Sequence, residues 1–292
     1  MSPELELILI AVLAAVACAV VGGFLVVRGL AMTSDAISHA VLPGIAIGFF
    51  ATQNLSSPWL VAGAALAGLA AVWAIEAVLA SRLLRQDAAI GVVFPMFFAL
   101  GVILISLYAS GVHLDTDAVL LGELAFAPFD RLMVAGHDLG PRALWLLGGV
   151  TLLNLTVVGL LFKELRLAAF DRTLAAGMGF SPLLLHYLLM ALVSLTAVAA
   201  FQAVGSVLVV ALMVTPAASA YLLTSRLAPL LGLAAVIGSL GALGGYGVAQ
   251  SFDLTIAGAM AFILGLIFAL VALLSPKGIL ANRRGRKPAG KV

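Results

Sequence analysis

Apolar runs that are long enough to cross a lipid bilayer recur from one end of this chain to the other. Each is close to the roughly 20 residues that a helix needs to span the hydrocarbon core. An outer-membrane barrel would instead have short segments of alternating polarity. The pattern therefore predicts an all-α polytopic membrane protein with nine transmembrane helices, at about residues 7–27, 36–54, 58–80, 89–109, 143–162, 184–204, 206–224, 229–249 and 254–274.

The composition agrees with a membrane protein and excludes a soluble enzyme. Of the 292 residues, 64% are hydrophobic and 10% are charged, whereas an ordinary soluble domain has about 25% charged residues. A water-facing surface cannot be built from so few charges. The seventh run contains Pro216 and closely follows Gly205, so the alternative is a partial or re-entrant segment there, with eight spans in total. The single cysteine, Cys18, supports neither a disulfide framework nor a thiolate metal site.

The basic residues predict the orientation of the chain. With nine spans, 13 of the 15 Lys and Arg residues fall on one side, and only Arg131 and Arg142 fall on the other. The positive-inside rule then places the N-terminus outside and the C-terminus in the cytoplasm. The long polar interval 110–142 becomes an external segment, and its apolar middle, 118–128, predicts a helix folded into an outer vestibule.

The sequence predicts one transmembrane domain over residues 1–281, followed by a basic, disordered cytoplasmic tail, 282–292, close to anionic lipid headgroups. Small and then polar and basic residues in the cytoplasmic segment 217–229 predict a short helix suited to docking on a soluble partner. The alternative is a span end with an ordinary basic loop. No GxxxxGK[ST] sequence is present, so any ATP that drives the protein must be bound by another polypeptide.

Two ionisable residues lie at the start of the second apolar run, since Asp35 directly precedes it and His39 is inside it. Ionisable residues in a spanning helix are costly and mark candidate functional sites. Asp35 and His39 are four residues apart, which stacks a carboxylate and an imidazole on one face of a helix. Oxygen and nitrogen donors suit Mn²⁺, Zn²⁺ or Fe²⁺. Alternatively, Asp35 is a helix N-cap and His39 a buried, hydrogen-bonded histidine. Pro43 and Gly44 predict a break or bend just after the pair.

A second polar cluster lies in the external segment. His113, Asp115 and Asp117 are followed by Glu123. Such a group predicts an acidic outer vestibule that concentrates cations before they enter. The alternative is a solvated loop beside helix caps.

Several segments resemble the zinc/manganese-type ABC importer permeases, in the same order over about residues 10–275. The most specific is Ser-Asp-x-x-Ser-His-Ala-x-x-Pro-Gly at 34–44. The others are GFLVVRGLAM at 23–32, DAAIGVVF at 87–94 with ALGVILIS at 99–106, FDRTLA at 170–175 with Gly177 and Gly179, and VGSVLVVAL at 204–212 with PAA at 216–218.

The resemblance implies a permease that pairs with a second, identical or different, permease subunit. It also implies two cytoplasmic ATPase subunits and an extracytoplasmic metal-binding protein that delivers the ion. Asp35 and His39 would then coordinate metal in the translocation path, and the segment 217–229 would be the coupling element that touches the ATPase. The family commonly has a Phe-Gly-Asp-like stretch where this chain has Leu121-Gly122-Glu123, a carboxylate one methylene longer.

The function expected from these features is import of Zn²⁺ or Mn²⁺, with Fe²⁺ as a third candidate, across a bacterial cytoplasmic membrane by alternating access. The permease needs no catalytic residue, no permanently bound cofactor and no nucleic acid. The alternatives are a proton-coupled secondary metal transporter with Asp35 and His39 as the relay, and an ABC permease for haem, a siderophore or cobalamin. An intramembrane metalloprotease ranks last, since an HExxH pair is absent from the sequence. The sequence does not choose among the metals.

Overall fold

Every predicted apolar run forms a helix in the computed structural model, which describes residues 2–53, 57–108, 124–134 and 137–275. Within those residues, nine helical segments are long and apolar enough to cross a membrane, which confirms the predicted fold class. The helices are α1 Pro3–Val27, α2 Ala31–Ala40, α3 Leu42–Thr52, α4 Pro58–Ala80, α5 Gln86–Tyr108, α6 Arg142–Leu160, α7 Phe162–Phe170, α8 Arg172–Gly177, α9 Pro182–Val204, α10 Ser206–Leu223, α11 Leu227–Phe252 and α12 Ile256–Leu274. Helices α2 and α3 together form the second span, and α7 and α8 are short connecting helices.

Serine caps and prolines set the starts of three of the long helices. The hydroxyls of Ser2, Ser57 and Ser181 accept hydrogen bonds from backbone N–H groups at the starts of α1, α4 and α9. A proline occupies the first turn of each of these helices, where its missing N–H would have had no helical partner. The starts of these spans are therefore determined by residues at the helix ends themselves.

Helix α1 runs through the centre of the bundle, where it contacts α6, α9, α10 and α11. Its side chains Ile10 and Phe24 are fully buried. Apolar packing is supplemented by polar contacts, as is usual between membrane helices. Asn154 of α6 is fully buried, and its Nδ2 donates to Thr196 Oγ1 of α9 at 2.8 Å and to the Ala17 carbonyl of α1 at 3.4 Å. This one side chain therefore links three helices.

One end of the bundle, the Glu6 face, is closed by a β-hairpin. Strands β1, Arg131–Val134, and β2, His137–Pro141, pair antiparallel with a bulge between Arg131 and Met133. Glu6 of α1 is 3% exposed, and Arg131 Nη1 lies 3.4 Å from its Oε2. Arg131 Nε also lies 2.5 Å from Asp138 Oδ2. The pKa of the Asp138 carboxyl is held below its usual range, first by the Gly140 N–H and then by the Arg131 guanidinium.

The helix predicted for residues 118–128 falls only partly within the described residues. Residues 118–123 lie outside the described residues, and Leu124–Phe129 forms a six-residue 3₁₀ helix before the strands. Leu124, an apolar residue of this stretch, is buried, with 1% of its surface exposed.

The opposite end of the bundle, the Arg28 face, holds a cluster of charged side chains around a cavity of about 640 Å³. Glu76 near the end of α4 contacts His186 Nε2 at the start of α9, and Glu76, His186 and Arg172 line the cavity. Burial lowers the pKa of Arg28 to about 10, helped by the Arg172 guanidinium and opposed by the Glu76 carboxylate. Arg28 therefore keeps its charge at neutral pH.

Helix α10 continues beyond Pro216 and ends at Leu223. The seventh apolar run is therefore long and apolar enough to be a full span and is not a partial segment. The structure thus differs from the separate short helix predicted for 217–229. Its first seven residues complete α10, the next three connect, and α11 begins at Leu227. The physical reason is burial: Ala217 and Ala220 are fully buried, which holds α10 together beyond the proline.

Candidate functional site

The second span is interrupted at Val41, which lies between α2 and α3. Pro43 follows two residues later, and it has no N–H to donate to the carbonyl of His39 four residues earlier. The predicted break after the ionisable pair is therefore present. Irregular backbone at this depth is tolerated in membrane proteins where it faces protein or a water-filled path.

Asp35 and His39 lie on α2, one helical turn apart and just before this break. His39 Nε2 is 3.6 Å from Asp35 Oδ1, and the two side chains are 32% and 45% exposed, respectively. The N-cap alternative for Asp35 is wrong, because the cap position of α2 is Leu30 and Asp35 lies inside the helix. The pair thus points away from the core of its own chain while it stays partly enclosed.

The serines of the same motif lie on the buried side of α2. Ser34 and Ser38 are almost completely buried, and their hydroxyls donate to the carbonyls of Ala31 and Ser34 at 2.7 Å and 2.9 Å. Their hydrogen-bonding capacity is therefore used within the helix. This leaves Asp35 and His39 as the two side chains of the motif with accessible polar groups.

Two aromatic rings of α5 enclose His39. The ring centroids of His39 and Phe94 are 5.7 Å apart at 46°, and those of His39 and Phe98 are 6.1 Å apart at 87°. Tilted and edge-on arrangements of this kind are the favoured geometries for such ring pairs. The sequence did not reveal this contact, because Phe94 and Phe98 are more than 50 residues from His39 and are ordinary members of an apolar run.

Close packing of α3 against α4 holds the chain in place just after the break. A Cβ added at Gly44 of α3 would lie 2.1 Å from the Gly63 carbonyl oxygen of α4. Real Cβ atoms do not approach so closely, so this contact requires glycine. The Gly44 of the motif therefore sets the distance between α3 and α4, as small residues do between membrane helices.

The pair offers one oxygen and one nitrogen donor. Among the residues that the structure describes, no three His, Cys, Asp or Glu side chains come together as a possible metal site. Structural zinc sites have four ligands, so Asp35 and His39 of one chain make an incomplete site. Oxygen and nitrogen donors nevertheless match Mn²⁺, Zn²⁺ or Fe²⁺ rather than Cu⁺.

The other predicted site residues fall elsewhere. Asp115, Asp117 and Glu123 lie outside the described residues. Glu76 of α4 lies at the Arg28 face, where it contacts His186 of α9. Those two residues are 110 positions apart, so no local pattern could have joined them.

A second cavity, of about 420 Å³, opens near the Glu6 face between α4, α6 and α9. Ser57, Asp130, Arg142 and Gln202 line it together with apolar side chains. Neither Asp35 nor His39 is among the residues that line this cavity.

In the part of the chain that the structure describes, nine helical segments are long and apolar enough to cross a membrane, and one of them has an acid and an imidazole beside a break. These features indicate a polytopic membrane protein of the transport class. Comparison with known proteins gives the family. The profile of the ABC 3 transport family matches residues 5–275, so the chain belongs to that family.

Similar proteins with curated names transport different metals. The chain is 44% identical over 284 residues to the manganese transport system membrane protein MntD of Bacillus subtilis, covering 97% of this chain and 96% of that one. It is 50% identical over 273 residues to the zinc transport system membrane protein TroD of Treponema pallidum, covering 94% of this chain and 74% of TroD. The solved structure of PsaBC from Streptococcus pneumoniae in complex with Fab superposes with a TM-score of 0.80 at 28% identity, covering 97% and 96%.

Proposed function

We propose that this chain is the permease subunit of an ABC importer that carries Mn²⁺ or Zn²⁺ into the cytoplasm, with Fe²⁺ as a third candidate ion. The observation that carries the proposal is the Asp35 and His39 pair, partly exposed at a break in a membrane span. Membership of the ABC 3 transport family and the names of the manganese and zinc relatives support it.

The Asp35 and His39 side chains have separate tasks in this proposal. The Asp35 carboxylate offsets part of the charge of a dication that has lost its hydration water. The neutral His39 imidazole supplies a lone pair and favours transition metals over Mg²⁺ and Ca²⁺. The permease forms no covalent intermediate, and it moves the ion because the pair faces the two sides of the membrane alternately.

The proposed assembly contains a second permease subunit, because one chain supplies only two donors. Two chains related by an axis near this pair would supply two carboxylates and two imidazoles. The partly exposed side of α2, with Asp35 and His39, would then face the second permease.

The proposed topology places the Glu6 face outside a bacterial cytoplasmic membrane and the Arg28 face inside. An extracytoplasmic metal-binding protein would dock on the Glu6 face. Two ATPase subunits would dock on the Arg28 face, where residues 217–229, the end of α10 and the start of α11, serve as the coupling segment. ATP hydrolysis belongs to those subunits, since the chain has no Walker A loop.

Reconstitution into liposomes tests the proposal. The chain purified with its ATPase subunits should accumulate Mn²⁺ or Zn²⁺ only when ATP is present on the ATPase side. The chain alone under a pH gradient should accumulate neither metal. Metal uptake by the chain alone, driven by protons, would overturn the ABC mechanism in favour of a secondary transporter.

Asp115, Asp117 and Glu123 form the acidic outer vestibule in this proposal. The substitutions Asp115→Asn, Asp117→Asn and Glu123→Gln combined should raise the KM for metal several-fold at low ionic strength, because they remove the charges that concentrate cations. The maximal uptake rate should change little. A KM that stays the same at low salt would remove the vestibule from the proposal.

A further inference from the structure

One face of α5 contacts both halves of the broken span. Phe94, Phe98 and Gly101 are spaced by four and three residues, so they share one side of the helix. The two rings flank His39 at the end of α2. At Gly101, an added Cβ would lie 2.8 Å from Leu42 Cβ and 2.9 Å from the Pro43 nitrogen, so α5 sits directly against the start of α3.

The two rings are anchored in different apolar clusters. Phe94 packs against buried residues that include Ala36 of α2, and Phe98 packs against buried residues that include Leu42 of α3. His39 thus lies between one ring held with the first half of the span and one ring held with the second half. The direction of its imidazole depends on where both rings lie.

We propose that Phe94 and Phe98 are positioning residues that hold the His39 imidazole with Nε2 toward Asp35, and that they thereby set the affinity of the pair for a divalent transition metal. This inference rests on the proposed function. The reason is geometric: one ring lies tilted and the other edge-on to the imidazole, which restricts its rotation about χ2. Hydrogen-bonding groups that orient a metal-binding histidine typically change affinity 10–100-fold, and we expect these rings to act at the lower end of that range.

Mn²⁺ binding to the purified full-length chain in complex with its ATPase subunits tests the proposal. Phe94→Leu and Phe98→Leu should each raise the Kd for Mn²⁺ about 10-fold. Phe97→Leu is the matched control, since Phe97 is on the same helix and packs in the same apolar cluster as Phe94, the one that holds Ala36, Ile75 and Ile90. It should leave the Kd within about twofold. Phe98→Tyr keeps the ring, so it should restore most of the affinity.

Thermal unfolding of the same samples distinguishes a role of the two rings in orienting His39 from a role in packing alone. The three Phe→Leu variants should unfold at similar temperatures, because each loses a ring of the same size from a partly buried site. If the Kd rises equally in all three, or in none of them, the positioning role is overturned. If Asp35→Ala binds Mn²⁺ as tightly as the unchanged protein, the proposed function itself fails, whatever the phenylalanine variants do.

Discussion

Asp35→Ala and His39→Ala should each reduce ATP-driven uptake of Mn²⁺ or Zn²⁺ by about 100-fold or more. Loss of a group that only orients a metal ligand costs 10–100-fold in affinity, and each of these changes removes one of the two donors that the chain supplies. The measurement is initial uptake of radioactive metal into proteoliposomes that contain the chain and its ATPase subunits.

The control for these variants comes from the same helix. Met32 of α2 is 60% exposed and has no donor that a hard dication prefers, so Met32→Ala should transport at nearly the normal rate. The amounts of assembled complex should be equal in all samples by gel filtration. Unchanged uptake by both Asp35→Ala and His39→Ala would remove the metal-ligand role and with it the chemical basis of the proposal.

Gly44→Ala should lower the free energy of unfolding by about 1–3 kcal/mol and weaken metal binding at the same time. The new Cβ would lie 2.1 Å from the Gly63 carbonyl oxygen, so α3 must move away from α4. Overpacking that forces backbone shifts has a cost of this size. Because α3 begins at the break beside His39, the shift also disturbs the pair.

Gly247→Ala in α11 is the matched control, because a Cβ there would meet nothing within 4 Å. Gly247→Ala should leave the free energy of unfolding unchanged or slightly higher than that of the unchanged protein, since alanine favours a helix by up to about 1 kcal/mol over glycine. Thermal unfolding in detergent and Mn²⁺ titration of both variants give the comparison. Equal melting temperatures for the two variants would show that α3 and α4 are not held at this distance.

The fold could be predicted well because its main determinants are local. A membrane span needs about 20 consecutive apolar residues, and the nine predicted runs overlap the nine candidate spans among the described residues, the second of which is divided into α2 and α3. The four-residue spacing of Asp35 and His39 and the break near Pro43 are also local, and the structure has both. The orientation in the membrane stays a prediction.

The long-range contacts could not be predicted. Glu6 and Arg131 are 125 residues apart, and His186 lies 110 residues beyond Glu76. Each residue alone has an adequate local explanation as a cap, a snorkelling side chain or a loop charge. The continuation of α10 beyond Pro216 could not be predicted for the same reason, because burial against other helices outweighed the local effect of proline.

The interrupted second span has a consequence for how the protein is made. It is the least apolar of the nine membrane-crossing segments in the described chain, and it carries Asp35 and His39. Asp35 is near the start of this span, Ala31–Thr52, and an ionisable residue inside a membrane span is costly. We therefore expect the span to insert stably only when it packs against α1 and α4, which it contacts in the folded chain.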